Sequence, residues 1–244
     1  MATIVLIHGA WHGGWCWERV TPWLRAAGHR VYAPTLAGLG ERAHLLTREI
    51  GLDTHLGEIV ALLEGEALTD VVLVGHSYGG MIITGVAERL PGRIGHLVYL
   101  DAVAPIGQQR SVRELFQCYR PDTWRDLAAE IAANDGWRIP VPTGDTILGV
   151  TDAADLRWLR DHLTDHPART FTERLGGDHL PAQHLPRSFI RAPVVAGVPN
   201  GFSQDAERIA RSGGRCYELP GGHDVMVTLP HELADLLLAT AAPL

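Results

Sequence analysis

The chain has 244 residues, 46% of them hydrophobic and 20% charged, enough apolar material for one large core and too much for a disordered segment. A formal charge of −7, with 21 Lys and Arg scattered singly, supplies no basic field for nucleic acid. No stretch approaches the ~20 apolar residues of a membrane span. Cys16, Cys118 and Cys216 are odd in number and lack CxxC spacing, which argues against a disulfide framework or a thiolate metal site.

The first apolar run starts at Thr3, leaving no room for a secretory leader, so a cytoplasmic protein is expected. In chain order, a strand at residues 3–8 precedes a helix at 16–27, where Trp17, Val20, Trp23 and Leu24 share a face. A strand at 30–34 leads to a helix at 54–68, with Leu56, Ile59, Val60 and Leu63 on one side. Strand 70–75, helix 81–90 and strand 96–101 follow. Residues 106–191 then break the alternation with helical patches at 123–133 and 152–163 and Pro-rich joins. Strand 192–198, helix 204–211, strand 215–219 and helix 231–239 close the chain. Alternating strands and helices, with strands apolar throughout, predict an α/β protein with a mostly parallel six-stranded sheet and helices on both faces. Residues 1–105 and 192–244 are the expected core, and 106–191 an inserted helical cap after the fourth strand. An insertion of that length in one crossover is commonly functional.

Three motifs sit where that alternation places the active edge of the sheet. Gly75-His76-Ser77-Tyr78-Gly79 lies between an apolar strand and a helix, so the two glycines permit a sharp turn that holds Ser77 above the strand ends. The helix behind it aims N–H groups and a positive dipole end at developing negative charge. Taken alone, a GxSxG match is equally a glycine-rich turn with a capping Ser; the strand and helix around it favour a nucleophile. His8-Gly9-Ala10-Trp11-His12 follows the first strand, and the backbone N–H groups of Ala10 and Tyr78 are the expected oxyanion hole. His8 reads as structural, and His12 as part of the pocket floor; a His8/His12 metal pair fits poorly on a glycine-rich loop. Leu219-Pro-Gly-Gly-His223-Asp224 follows the last strand, where a loop can swing an imidazole over Ser77, making His223 the expected base. His162, His166, His179 and His184 compete weakly. For the acid, Asn200 stands after strand 192–198 where a carboxylate is usual and carries no charge. Asp101, ending the fourth strand, is preferred over Asp205, which reads as a first-turn dipole partner.

Together with HGAWHGGWCW, LRAAGHRVYAPTLAGLGER, VVLVGHSYGG, LVYLDAVAP and GGHDVMVTLP, these motifs resemble one branch of the α/β-hydrolases. That branch holds salicylate-binding-type methylesterases, hydroxynitrile lyases and bacterial esterases, including carbendazim-hydrolysing ones, which look nearest. The resemblance covers the first hundred residues and the last thirty well, and the insertion loosely. In one lyase lineage a Glu precedes the nucleophile and a Lys follows the histidine; here His76 and Asp224 stand there, which lowers the lyase reading. Another lineage carries an Asn in the first oxyanion loop, where this chain has Ala10. The resemblance implies a serine carboxylic-ester hydrolase working through an acyl-enzyme on Ser77, with no metal or organic cofactor. The expected substrate is a small to medium apolar or aromatic ester or carbamate, bound by His12, Trp11, Trp15, Phe116, Trp124, Trp137 and Trp158. The cap tryptophans have core packing as their alternative. The expected partners are that small molecule and, at most, a second copy in a homodimer, with neither nucleic acid nor membrane. Two other readings stay open: a small-molecule receptor with little turnover, and a lyase or tailoring catalyst that forms no acyl-enzyme.

Overall fold

A computed structural model describes residues 1–107, 110–143, 147–176, 184–195, 198–199 and 202–241. Its centre is a six-stranded sheet of β1 (Thr3–Ile7), β2 (Arg30–Tyr32), β3 (Val71–His76), β4 (Ile94–Leu100), β7 (Arg187–Arg191) and β10 (Arg215–Glu218). The strand order is β10-β7-β4-β3-β1-β2, and every pairing is parallel. Successive side chains alternate between faces, so each strand feeds two cores. Val5 and Ile7 of β1 join Leu73, Tyr99 and Phe189 on one side, while Ile4 and Leu6 join Val74, Val98 and Ile190 on the other. Helices α2 (Leu52–Gly65), α3 (Gly79–Arg89) and α8 (Ser203–Arg211) supply Leu56, Ile82 and Ile209 to the first core. Helices α1 (Thr21–Ala26) and α10 (Pro230–Ala241) supply Leu24 and Leu237 to the second.

Between β4 and β7 the chain forms α4 (Val112–Tyr119), α5 (Pro121–Ala133), α6 (Ala153–His162) and a single turn, α7 (Arg169–Thr172). A two-residue antiparallel pair, β5 (Arg138–Ile139) with β6 (His166–Pro167), ties this insertion together. Ser111 caps α4 by accepting from the Glu114 N–H while Glu114 accepts from the Ser111 N–H, a capping box that fixes where the insertion's first helix starts.

Two expectations shift. The fifth sheet strand is Arg187–Arg191 and not residues 192–198, so the insertion returns to the sheet five residues before the expected boundary. Pro193 has no N–H to continue a ladder; beyond it, β8 (Val194–Val195) and β9 (Val198–Pro199) form a separate antiparallel pair. The expected helix at 16–27 divides into a 3-10 turn, Gly14–Trp17, and α1, which carries Pro22 in its first turn. A last helix turn, α9 (Val225–Thr228), precedes α10. No helix among the described residues is long and apolar enough to cross a membrane.

Candidate active site

The loops after β1, β3, β4 and β10 meet at the C-terminal edge of the sheet, where ligands bind in open parallel sheets. The turn after β3 is tight. A Cβ on Gly75 would stand 2.5 Å from the Gly79 carbonyl oxygen, and one on Gly79 would stand 2.7 Å from that of Ile7, so neither site admits a larger residue. Ser77 at the apex has φ +53, the left-handed region that a non-glycine residue enters at a cost of about 1–2 kcal/mol. Its N–H donates to the Leu100 carbonyl at 3.2 Å and its carbonyl accepts from the Val103 N–H at 3.2 Å, which hold the turn in place. Trp11 (φ +65) and Asp101 (φ +43) are left-handed as well.

His223 presents Nδ1–H to Asp101 Oδ2 at 2.5 Å, and Asp101 is fully buried. Asp101 Oδ1 accepts from the Ala192 N–H at 3.2 Å, so the end of β7 orients the carboxylate from behind. The His223 ring stacks on Phe202, with centroids 5.5 Å apart. Asp205 is turned elsewhere, to the Arg208 guanidinium at 2.9 Å and the Ala104 N–H at 3.2 Å. Burial raises its pKa in spite of Arg208. The structure therefore sets Asp101, and not Asp205, against His223. Asn200 and His179 lie outside the described residues.

Ser77 and His223 open into one cavity of about 280 Å³, shared with Ala10, Trp11, Phe116, Arg120, Leu127, Leu148, Phe171 and Phe202. Its lining is aromatic and aliphatic apart from Thr123, Ser77, His223 and Arg120. The Arg120 guanidinium lies 4.3 Å from the Phe202 ring centroid and 5.4 Å from that of Phe116, and burial lowers its pKa against the fields of Asp101 and Asp205. The Tyr78 side chain faces away from this space. Its hydroxyl donates to His55 Nδ1 at 3.0 Å, leaving the backbone as its means of reaching a reacting oxygen.

Of the seven residues expected to bind substrate, Trp11 and Phe116 line this cavity. His12 does not: it is buried behind the loop that follows β1, bonded to Ala10 and Asp224. Trp15 stacks on His12 and packs against Trp158 and His162, and Trp158 carries the Arg19 guanidinium on its face, so these two rings serve packing. Trp124 and Trp137 border a different depression of about 250 Å³ on the insertion. Arg120, Leu127, Leu148, Phe171 and Phe202 had no motif to mark them; each reaches the cavity through tertiary contact.

Several histidines around the edge are neutral by burial. His8, with Nδ1–H to the Gly9 carbonyl at 2.8 Å and Nε2 accepting from the Leu36 N–H at 3.0 Å, is pushed down to about 3. His76 falls well below its ordinary value through burial and the neighbouring His223, and donates Nε2–H to the His223 carbonyl at 3.1 Å. His76, His223 and Asp224 bring ligand atoms within 4.8 Å of one another, a spacing a metal can use. Here His76 Nε2, His223 Nδ1 and Asp224 Oδ2 are each engaged in a protein hydrogen bond instead.

A model of the alpha/beta hydrolase family matches residues 4–236. The chain is 38% identical over 248 residues to the carbendazim hydrolyzing esterase of Nocardioides sp. (strain SG-4G), covering 98% of this chain and 99% of that protein. It is 27% identical over 251 residues to methylesterase 10 of Arabidopsis thaliana, covering 98% and 91%. Among solved structures, it superposes with TM-score 0.85 and 26% identity on an extracellular alpha/beta-hydrolase from a Paenibacillus species, over 98% of this chain and 99% of that one. That protein is described as sharing structural and functional homology with tobacco salicylic acid binding protein 2. A parallel sheet in this order, a serine on a left-handed turn after its third strand and a match over nearly the whole length lead to one conclusion: the chain belongs to the alpha/beta hydrolase family.

Proposed function

We propose that this carboxylic-ester hydrolase works through an acyl-enzyme on Ser77, with His223 as general base and acid and Asp101 as the orienting carboxylate. The observation that carries the reading is the 2.5 Å contact between His223 Nδ1 and Asp101 Oδ2, beside a cavity that His223 shares with Ser77. With Nδ1 donating to Asp101, Nε2 is the nitrogen free to take a proton. In the proposed cycle Ser77 Oγ attacks the ester carbonyl while His223 takes its proton. The N–H groups of Ala10 and Tyr78 stabilise the tetrahedral oxyanion. His223 then protonates the leaving alcohol, and a water activated by the same ring releases the acid and regenerates Ser77.

An apolar cavity of about 280 Å³ suits a small to medium apolar or aromatic ester. Likeness to a carbendazim hydrolyzing esterase extends that proposal to carbamates. We further propose that residues 106–186 act as the cap that supplies the cavity's outer wall, since Phe116, Arg120, Leu127, Leu148 and Phe171 all come from that span. The test is a p-nitrophenyl acetate assay with fluorophosphonate labelling. Turnover and a single adduct on Ser77, both abolished in Ser77→Ala with a loss of about 10⁶ in kcat, support the proposal. Turnover that survives Ser77→Ala refutes it and favours a catalyst without an acyl-enzyme. Ligand binding with no turnover favours a receptor.

A further inference from the structure

Behind the proposed oxyanion loop lies an ion pair that the acyl-transfer cycle does not use. His12 and Asp224 are 1% and 0% exposed. His12 Nε2 lies 3.0 Å from Asp224 Oδ2, and His12 Nδ1 lies 2.7 Å from the Ala10 carbonyl oxygen. A carboxylate and a carbonyl are both acceptors, so the ring satisfies both contacts only with a proton on each nitrogen. Burial alone would strip that proton. The Asp224 charge and the two hydrogen bonds outweigh burial and raise the His12 pKa.

The pair joins segments 212 residues apart, and each end bears on the proposed chemistry. On the His12 side, the loop around Ala10 is held at consecutive peptides. His8 binds the Gly9 carbonyl at 2.8 Å; because a trans peptide points its C=O and N–H in opposite directions, this turns the Ala10 N–H the other way. His12 fixes the next peptide through the Ala10 carbonyl. On the Asp224 side, the residue follows His223 directly, its N–H donates to the Leu148 carbonyl at 3.1 Å, and the His223 carbonyl is bound by His76 at 3.1 Å.

Resting on the reading of Ser77 and His223 above, we infer that the His12 imidazolium and Asp224 carboxylate form a positioning pair. It locks the oxyanion loop to the base loop, so that the Ala10 N–H and the His223 ring keep a fixed separation across the cavity. Such a pair acts on the transition state, where the oxyanion donor and the base must serve one tetrahedral centre together, and little on substrate affinity. A buried ion pair kept only for stability has no reason to divide its effect that way.

The experiment compares the wild type with His12→Gln, Asp224→Asn and the double variant. It reads kcat and KM for p-nitrophenyl acetate, inhibition by a trifluoromethyl ketone that forms a tetrahedral adduct, and urea midpoints. Each folded single variant is expected to lose about 10²-fold in kcat and in inhibitor affinity with KM little changed, the scale of a displaced catalytic group. The double variant should be no worse than the poorer single, since either change breaks the same link. Kcat within threefold of the wild type in folded variants, or single losses that multiply in the double, would overturn the inference. Nitrogen-15 histidine spectra of the wild type at neutral pH give a second reading that needs no variant and no turnover. A doubly protonated His12 is expected, and a neutral His12 overturns the pair even if the variants fail to fold. Failure of the acyl-enzyme reading shows separately, as wild-type turnover indifferent to Ser77→Ala.

Discussion

The two walls of the cavity are built from opposite chemistry. The sheet wall is backed by buried His8, His12, His76, Asp101 and Asp224, whose hydrogen bonds run to the Gly9–Ala10 loop, the His223 peptide and the end of β7. The insertion wall is mostly side-chain surface, with Phe116, Leu127, Leu148 and Phe171 around Arg120 and Thr123. A buried polar network tolerates little displacement, because each lost partner leaves a desolvated group unpaired. An apolar wall can be reshaped at the cost of area alone. On the proposed reading, the contrast is a division of labour in which the sheet fixes what reacts and the insertion decides what is admitted.

That contrast can be broken from either side. The largest effect after loss of Ser77 belongs to Asp101→Asn, expected to lower kcat about 10⁴-fold, whereas Asp205→Asn should stay within a few-fold. Steady-state kinetics of the two variants check this, and a reversal would move the acid to α8. Next comes acid sensitivity of the buried imidazoles, His8 in the sheet wall and His55 on α2 beside it. His8 and His55 are held down to about 3 and about 4, below the ordinary 6.5, so on acidification the unfolded chain takes up protons first. Each neutral ring then contributes on the order of 3 kcal/mol at pH 7, lost as the pH falls from 6.5 toward those values. Urea midpoints should drop steeply between pH 6.5 and 4.5; a flat profile would mean these rings are not buried neutral. Smallest is the insertion wall, where Phe116→Ala or Phe171→Ala should raise KM for aryl esters about tenfold with kcat little altered. A collapse of kcat at constant KM would show that this wall positions as well as selects.

Much of the sheet wall was legible in the sequence because its parts are local. A continuous apolar strand, a Gly-flanked serine and a following helix are adjacent in the chain, and the turn they imply is the one observed at Ser77. Asp101 was readable for a similar reason, as the residue leaving a buried strand. The fifth strand is hidden from the sequence because Val194 and Val195 look like a core strand, while Arg187-Ser-Phe-Ile-Arg191 carries charge at both ends that only its neighbours accommodate. Arg187 binds the Ser212 carbonyl and Arg191 the Ser203 hydroxyl, partners no local pattern predicts. Tryptophans stand out by size, yet four aromatic or aliphatic residues without a motif, Leu127, Leu148, Phe171 and Phe202, do more of the lining. Nothing near His12 in the chain separates a pocket-floor residue from a buried one, because its partner, Asp224, lies at the far end of the sequence.

Trp11, Ser77 and Asp101, three of the left-handed non-glycine residues, have a consequence for how such a protein can change. Each sits at a conformation that glycine adopts freely, so Ser77→Gly should yield a dead protein more stable than Ser77→Ala. Selection for thermal robustness alone would therefore reward erosion of the reactive edge. A lineage of this chain improved only by heating has a downhill path to an inert, well-folded shell, and keeps its chemistry only where turnover is selected alongside.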